Sequence, residues 1–590
     1  MKVFEANISH QVSEFLNEKL HSITLFESAN QKIFDHFGIK YFFDGQEEFL
    51  ILKEAIVIAQ THVAEPDRAE YGDFQTNLNL AKSVTILLNA KRIDPKTIIE
   101  PTCGKGNFIV ASLAAFPNLK KVIGVEIYKP YIWETKFNII HFYLNNPTDY
   151  KPTIEINHFN VFDFDFKEIA NQFLNDEILV IGNPPWVTNS MLSSLESNNL
   201  PQKSNFKKHS GLDAMTGKGN FDIGESITLM MFDAFQNSKG HFAFLVKNSV
   251  IKNVIFDQKQ RSYTISNLQK LTIDSKKEFN VSVEAALLFC KLNTNPEFIC
   301  TEFDFYNQSN AVSRFGWVNE KFVSNIDLYI HSTDIDGVCP FMWRQGIKHD
   351  LSSIMELEKV NGHFVNGLHQ EITLEEDLVF GLLKSSDLKQ PVIDKTRKYT
   401  IITQKKVGQD TSFIKREFPN TYDYLYKNKP QFDLRKSSIY NNKPDFSIFG
   451  IGDYSFAPFK ISISGLYKTF TFSLVLQQNN KPIMLDDTCY MLGFNNIEFA
   501  AYSLILLNSE KTKKLLQSIT FKDAKRTFTK DILMRIDLYK LALQSSENSI
   551  QQELIQLNDK YNLSINLDKW GEFLNSMKPV AKAIQLDIFA

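Results

Sequence analysis

The residues Asn183-Pro184-Pro185-Trp186 close an apolar run, "EILVIGNPPW". Two consecutive prolines forbid helix, remove two N–H donors and fix φ. They hold the Asn183 side-chain oxygen and the neighbouring carbonyls in a stiff acceptor array, with the flat face of Trp186 beside it. Such a set suits a planar group bearing NH₂: two acceptors take its hydrogens while its ring stacks. A strand-terminating turn with a buried Trp is the plainer alternative, but Asn-Pro-Pro-aromatic after an apolar strand is a specific string.

A second set lies upstream in "IIEPTCGKGNFIVAS". A strand runs into Glu100, a turn carries Gly104 and Gly106, and a helix begins near Phe108. Glycines there permit positive φ and close approach of backbone to a ligand. The turn is too short for a phosphate loop of the GxxxxGK[ST] type and lacks the third Gly of a dinucleotide fingerprint. Glu126 ends the next apolar run, "KVIGVEI". An acid at that strand tip can accept both hydroxyls of a ribose. Gly106 and Glu126 are one strand–helix step apart, so together they favour an adenosine-containing cofactor.

These residues need elements to hold them. From about 97 to 292, short apolar runs alternate with helical segments: "TIIEP", "KVIGVEI", "IEINHFNVF", "EILVIGNPP", "GHFAFLVKNS" and "VEAALLFCKL". That rhythm predicts a mainly parallel sheet covered on both faces, with ligands at the carboxyl ends of its strands. Residues 1 to about 70 read as helical, because "VSEFLNEKLHSI" and "EEFLILKEAIVIAQ" space their apolar residues three and four apart. After about 310 the rhythm breaks into strand-like runs ("YTIITQKKV", "FKISISGLY", "FTFSLVLQQ") and helices ("EFAAYSLILLN", "IQQELIQLNDKYN"). "STDIDGVCPFMW", near that break, reads as a linker. A long polar insertion at 189–220 follows the Trp186 strand and reads as a lid or a loop that touches substrate.

Composition narrows the class. With 43% apolar and 23% charged residues, the 590-residue chain is an ordinary globular protein of several domains. No run approaches a membrane span, and "MKVFEANISHQV" lacks the apolar stretch of a signal peptide, so a cytoplasmic protein is expected. Five scattered cysteines without a CxxC pair suggest neither a zinc site nor a disulfide framework. Net charge is −3, yet residues 395–460 hold 13 Lys/Arg against 6 Asp/Glu, and residues 511–535 hold 8 against 2. Basic stretches within an acidic whole fit a polyanion partner; solvated Lys-rich faces fit equally well.

The three sets of residues resemble the amino-group DNA methyltransferases that use S-adenosylmethionine, whose marks are a Gly-bearing first turn, an acid after the second strand and (D/N/S)PP(Y/F/W) after the fourth. The order here, cofactor motif, then NPPW, then a long C-terminal region, looks like the gamma class of N6-adenine enzymes. Upstream, "AEYGDFQTNLNLAKSV" resembles that family's cofactor-covering motif. The resemblance covers residues 68 to about 295 and implies an α/β fold. It implies a Rossmann-like methyltransferase domain, with a mostly parallel seven-stranded sheet and helices on both faces, at 68–310. An N-terminal helical segment would occupy 1–67 and a C-terminal α+β target-recognition, DNA-binding domain 311–590.

The resemblance also implies roles. Phe74, Gln75 and Thr76 would contact the methionine end of S-adenosylmethionine; Glu100, Thr102, Gly104 and Gly106 would shape its pocket; Glu126 would hold the ribose. In "HFNVF", Asn160 would accept from the cofactor's adenine amine and Val161 would pack on its ring. In the catalytic segment Asn183-Pro184-Pro185-Trp186, Asn183 and Pro184 would bind the target amine and Trp186 would stack on the target base, with Phe279 a second aromatic against it. Phe279 as an ordinary core residue is at least as good a reading. Arg435 and Arg526 are candidates to read guanine in the major groove. The implied activity is site-specific N6-methylation of a flipped adenine in double-stranded DNA, as part of a restriction-modification or phage-defence system. The chain is expected to act as a monomer, with a cognate restriction endonuclease as candidate partner and no membrane. An RNA amino-group methyltransferase and a modification subunit that needs a separate specificity subunit are the alternatives.

Overall fold

A computed structural model of the chain describes residues 6–58, 75–173, 176–187, 222–279, 283–521 and 526–579. They form two compact units, Met1–Phe322 and Val323–Ala590. Phe74 and the 189–220 insertion lie outside the described residues.

The first unit is built on one sheet. In chain order its strands are β1 (Ile39–Lys40), β2 (Thr97–Glu100), β3 (Lys121–Glu126), β4 (Thr153–His158), β5 (Ile178–Gly182), β6 (Gly240–Lys247), β7 (Ile265–Ile273), β8 (Ala285–Leu292), β9 (Ile299–Asp304), β10 (Ser313–Val318) and β11 (Lys321–Val323). Their order across the sheet is β1-β4-β3-β2-β5-β6-β8-β7-β9-β10-β11. From β1 to β6 all pairs are parallel; β8 then runs antiparallel to both β6 and β7. The seven expected strands are β2 to β8. The sheet has eleven because β1 adds beside β4 and β9 to β11 extend the β7 side. β2 and β5 are buried along their whole length, as central strands of a parallel sheet covered on both faces must be.

Sheet order reverses between β2 and β5. One neighbour of that pair leads back through β3 and β4, the other on through β6. Such a switch point opens a crevice at the carboxyl ends of its strands. β2 ends at Glu100 and β5 at Gly182, so the Gly104–Gly106 turn and the Asn183–Trp186 segment leave the sheet side by side.

The N-terminal segment is helical as its spacing predicts, with helices His10–Leu20, Phe26–Phe37 and Gln46–Ile58. It packs on the helix Lys129–Asn145, which is buried continuously from Pro130 to Phe137. Tyr131, Ile132, Trp133 and Phe137 supply its apolar surface, while the buried Glu134, Thr135 and Lys136 all have polar partners. The buried Lys136 ammonium bonds the carbonyls of Phe42 (2.8 Å) and Tyr41 (3.2 Å), tying the segment to the helix.

The second unit is α+β. A five-stranded sheet runs in the order Arg344–Gln345, Cys489–Phe494, Phe459–Ser464, Ser473–Val475 and Val392–Ile393. A six-stranded sheet contains Glu356–Val360 and Lys398–Ile401, and helices including Ile497–Asn508 and Glu547–Tyr561 follow in the chain. Residues 332–343 are no linker: Ile335, Cys339 and Trp343 are buried in this unit's core. Asp334, Asp336, Gly337 and Pro340 break up its apolar residues, so no helical or strand period shows in the sequence. Among the described residues, no helix is long and apolar enough to cross a membrane.

Candidate functional site

The turn after β2 is shaped by its glycines. Gly104 has φ +52° and Gly106 φ +73°, and a Cβ on Gly106 would lie 2.5 Å from Thr135 Cγ2. Thr135 Oγ1 donates to the Gly104 carbonyl at 2.8 Å, and Asn138 Nδ2 donates to that of Lys105 at 2.9 Å. Lys105 pairs at 3.3 Å with the buried Glu134. The helix Lys129–Asn145 thus grips the turn from behind, leaving its front to the crevice.

Glu126 closes the turn from β3. One carboxylate oxygen accepts from the Gly104 N–H and the other from the Tyr128 N–H, both at 2.8 Å. A carboxylate has about four lone-pair sites, so a ribose can share this one without displacing either amide. Gln75 lies against Gly104 and accepts from the Lys105 N–H at 3.2 Å; the Thr76 carbonyl accepts from Asn107 Nδ2 at 2.8 Å. Asn160 sits just past β4, its Oδ1 accepting from the Phe162 N–H at 3.0 Å, and Val161 beside it is buried.

Thr76 Oγ1, Glu100 Oε2 and Thr102 Oγ1 in this crevice are buried and have no hydrogen-bond partner among the described residues. Buried polar atoms are ordinarily satisfied, so orphans gathered around glycines of positive φ suit a polar ligand. Burial pushes the Glu100 carboxyl well above the usual carboxylate range; the Glu126 charge adds to this and the Ile109 amide opposes it. S-adenosylmethionine fits such a cradle, its amino and hydroxyl groups supplying donors.

On the other side of the switch point, Glu100 packs under the last residue of β5. A Cβ on Gly182 would lie 3.5 Å from Glu100 Cγ. Asn183 follows with a buried Oδ1, then the buried Pro184. Trp186 is buried and its Nε1 donates to the Leu245 carbonyl of β6 at 3.4 Å. Phe279, which closes the short helix Ser275–Phe279, meets Trp186 edge to face, with centroids 5.0 Å apart. The structure therefore brings Gln75, Thr76, Glu100, Thr102, Gly104, Gly106, Glu126, Asn160, Val161, Asn183, Pro184, Pro185, Trp186 and Phe279 to one end of one sheet.

Sequence reasoning missed three participants. Asn77 caps the helix Leu78–Ala90 and also donates to the Glu278 carboxylate at 3.3 Å, joining the Gln75–Thr76 segment to the Phe279 helix. Asp222 and Lys247 form an ion pair beside the Pro184–Trp186 segment. An Asp before "IGESITLMMF" is a readable N-cap signal; nothing local marks Asn77 or Lys247 as partners of distant residues.

Arg435 and Arg526 of the second unit have internal partners. Arg435 donates through Nε and Nη1 to the carbonyls of Phe432, His349 and Ser447 and stacks on Tyr440 at 3.6 Å. Arg526 bonds the Asp487 carbonyl and carboxylate. Reading a base would require these bonds to be exchanged. The basic stretch 395–460 is also less free than its composition suggests. Lys460 is buried, Lys398 pairs with Glu356, Lys429 with Asp433 and Asp445, and Arg397 with Asp387. Phe432 and Phe446 belong to the core, leaving Tyr426 exposed.

No protein-family model matches the chain. It is 40% identical over 489 residues to the type II methyltransferase M.NspV of Nostoc sp. (strain ATCC 29411 / PCC 7524), an alignment that covers 82% of this chain and 99% of that protein. Among solved structures, the type IIL restriction-modification enzyme MmeI in complex with DNA matches with a TM-score of 0.54, over 90% of this chain and 80% of that one. At 12% identity, that is a likeness of fold.

Proposed function

The chain belongs to the S-adenosylmethionine-dependent type II methyltransferases of restriction-modification systems, and from there we propose that it methylates the N6 amine of a flipped adenine at a specific site in duplex DNA. The observation that supports this reading best is the adjacency of two strand ends. The cradle after β2 and the acceptor segment after β5 flank one switch point, with Glu100 packed against Gly182 between them.

S-adenosylmethionine, when bound, supplies a methyl group on a sulfonium. Gln75, Thr76, Glu100, Thr102, Gly104, Gly106, Glu126, Asn160 and Val161 would hold it, Glu126 taking the ribose. The protein's remaining task is to prepare the amine. An exocyclic adenine nitrogen is a poor nucleophile because its lone pair is delocalised into the ring. Asn183 Oδ1 and the Pro184 carbonyl would accept its two hydrogens and favour a pyramidal nitrogen, freeing the lone pair. Pro185 stiffens the segment. Catalysis on this account rests on orientation and fixed dipoles. A base within a duplex cannot reach a segment this buried, so the target must flip, at a cost of a few kcal/mol. Trp186, with Phe279 at its edge, would recover roughly 1–3 kcal/mol by stacking, as in single-strand binding sites.

The second unit would hold the duplex and select the site, and a cognate restriction endonuclease would cut the same sequence when unmethylated. Expression in a host without DNA methylation, followed by single-molecule sequencing of its genome, tests the reading. N6-methyladenine should appear within one short sequence. Modified cytosine, or an unmodified genome in cells that contain soluble protein, would contradict it.

A further inference from the structure

Two charged side chains that no local pattern joins meet beside the Asn183–Trp186 segment. Asp222 precedes the helix Ile223–Phe235 and caps it, its Oδ1 accepting from the Gly224 N–H at 2.9 Å. Its Oδ2 pairs with Lys247 Nζ at 2.5 Å, and the two side chains are 12% and 14% exposed. Lys247 is the last residue of β6, the strand paired with β5.

Each side of this pair touches the acceptor segment. On the helix side, a Cβ on Gly224 would lie 3.3 Å from the Pro185 carbonyl oxygen and 3.7 Å from Pro184 Cγ. The Ile223 N–H donates to the Val187 carbonyl at 2.9 Å. On the strand side, the Leu245 carbonyl, two residues before Lys247, accepts from Trp186 Nε1. The segment is thus held between the helix start and β6, and the ion pair ties those two elements to each other. A buried pair contributes little net stability against apolar groups of the same size. What it does contribute is a fixed distance and direction between its ends.

We propose that Asp222 and Lys247 are positioning residues for methyl transfer: their ion pair sets the spacing between the helix start and β6, and so aims Asn183 Oδ1 and the Trp186 face at the target amine. This rests on reading the Asn183–Trp186 segment as the amine-binding site. The pair acts through Pro184, Pro185 and Trp186 rather than on the substrate.

The test compares the full-length wild type with Asp222→Asn, Lys247→Met and the double variant. Three quantities are measured: single-turnover methylation at saturating S-adenosylmethionine and DNA, cofactor affinity by calorimetry, and melting temperature. Misplacement on the ångström scale slows transfer up to about a hundredfold, so each single variant should be slower by roughly ten- to a hundredfold. Cofactor affinity, set by the turn after β2, should stay within about threefold of wild type. The single variants also strand one buried charge and lose stability. The double variant strands none, and the amide oxygen introduced at position 222 still caps the Gly224 N–H; it should regain the wild-type melting temperature yet remain slow. A double variant that regains the wild-type rate along with its stability overturns the proposal, because the pair then only stabilises. So do single variants that turn over at the wild-type rate. The product made by wild type separates the two readings. If the acceptor is not an adenine in DNA, that reading falls, while the ratio of variant to wild type on the true acceptor still decides the role of the pair.

Discussion

On the proposed mechanism Asn183 would contribute an acceptor and no titrating group, which makes a sharp distinction between variants. Asn183→Ala removes the acceptor and should slow transfer by roughly 10²–10³-fold, the loss typical of one preorganised dipole. Asn183→Asp keeps an acceptor at the same place and should retain more activity. Calorimetry should find cofactor affinity unchanged in both, since the cradle after β2 is intact. Equal activity of Asn183→Ala and wild type would remove the acceptor from the mechanism. Gly106 makes the complementary case on the cofactor side. Its φ is +73° and an added Cβ would meet Thr135 at 2.5 Å. Left-handed backbone alone costs a non-glycine residue about 1–2 kcal/mol, so Gly106→Ala should weaken S-adenosylmethionine binding by about tenfold or more, again read by calorimetry. At this scale the residues that the structure brings together were mostly legible: Gly104 and Gly106 are called for by positive φ, and Glu126 and Asn183–Trp186 stand at strand ends that the apolar runs mark. Asp222 and Lys247 were not, because an ion pair between residues 25 apart exists only once β6 has taken its place beside β5.

Among the elements, the six strands read from apolar runs all form; the central β2 and β5, parallel and buried on both faces, are apolar nearly throughout, whereas β4 alternates and β8 runs antiparallel. The strand that escaped notice is β7, "ISNLQKLTI", whose buried residues are interrupted by Ser266, Asn267, Gln269 and Lys270. It is half exposed and kinked by an irregularity between Ser266 and Gln269, so no clean pattern survives in the sequence. The strand Phe459–Ser464 gives a further lesson, because composition counts Lys460 as part of a basic surface. Its side chain is buried, with Nζ donating to the Ala457 carbonyl at 2.8 Å, and burial lowers its pKa to about 7. Below pH 7 both folded and unfolded chains carry this proton, and burial of the charge opposes folding in full. Between about 7 and the ordinary value of 10.5 the unfolded chain binds the proton and the folded chain does not, so stability rises with pH. Lys460→Met should therefore raise the melting temperature by roughly 5 °C or more at pH 6–7, and its advantage should shrink as pH climbs towards 10. An advantage that does not vary with pH would mean that Lys460 does not titrate in this range.

Across the whole molecule, charge was the least legible property. Sequence shows a net excess of Lys and Arg at 395–460, but the fold commits Lys398, Lys429, Arg397, Arg435 and Lys460 to internal partners or to the core. Lys395, Lys405, Lys406, Lys415, Arg416, Lys427, Lys436 and Lys443 remain exposed. Phosphate contacts would be drawn from these residues if this stretch binds DNA. Replacing Lys405 and Lys406 together by Ala should weaken cognate and non-cognate duplexes alike and lower the slope of log affinity against log salt by about 2. A loss confined to the cognate site would instead assign them to base reading. The likeness to MmeI over 90% of the chain extends the shared fold into this second unit. Strand-like runs and helices were readable there, but no order among them, since pairings such as Leu382 with Met484 join residues about a hundred apart.

The central claim is that the Asn183–Trp186 segment presents an adenine amine for methylation. The most direct measurement incubates the purified protein with methyl-labelled S-adenosylmethionine and unmethylated duplex DNA, digests the DNA to nucleosides and identifies the labelled one by mass spectrometry. The label should be in N6-methyladenine alone, and Asn183→Ala should introduce it at least about a hundredfold more slowly. Label in N4-methylcytosine, or in RNA or protein but not in DNA when all are offered together, would contradict the account.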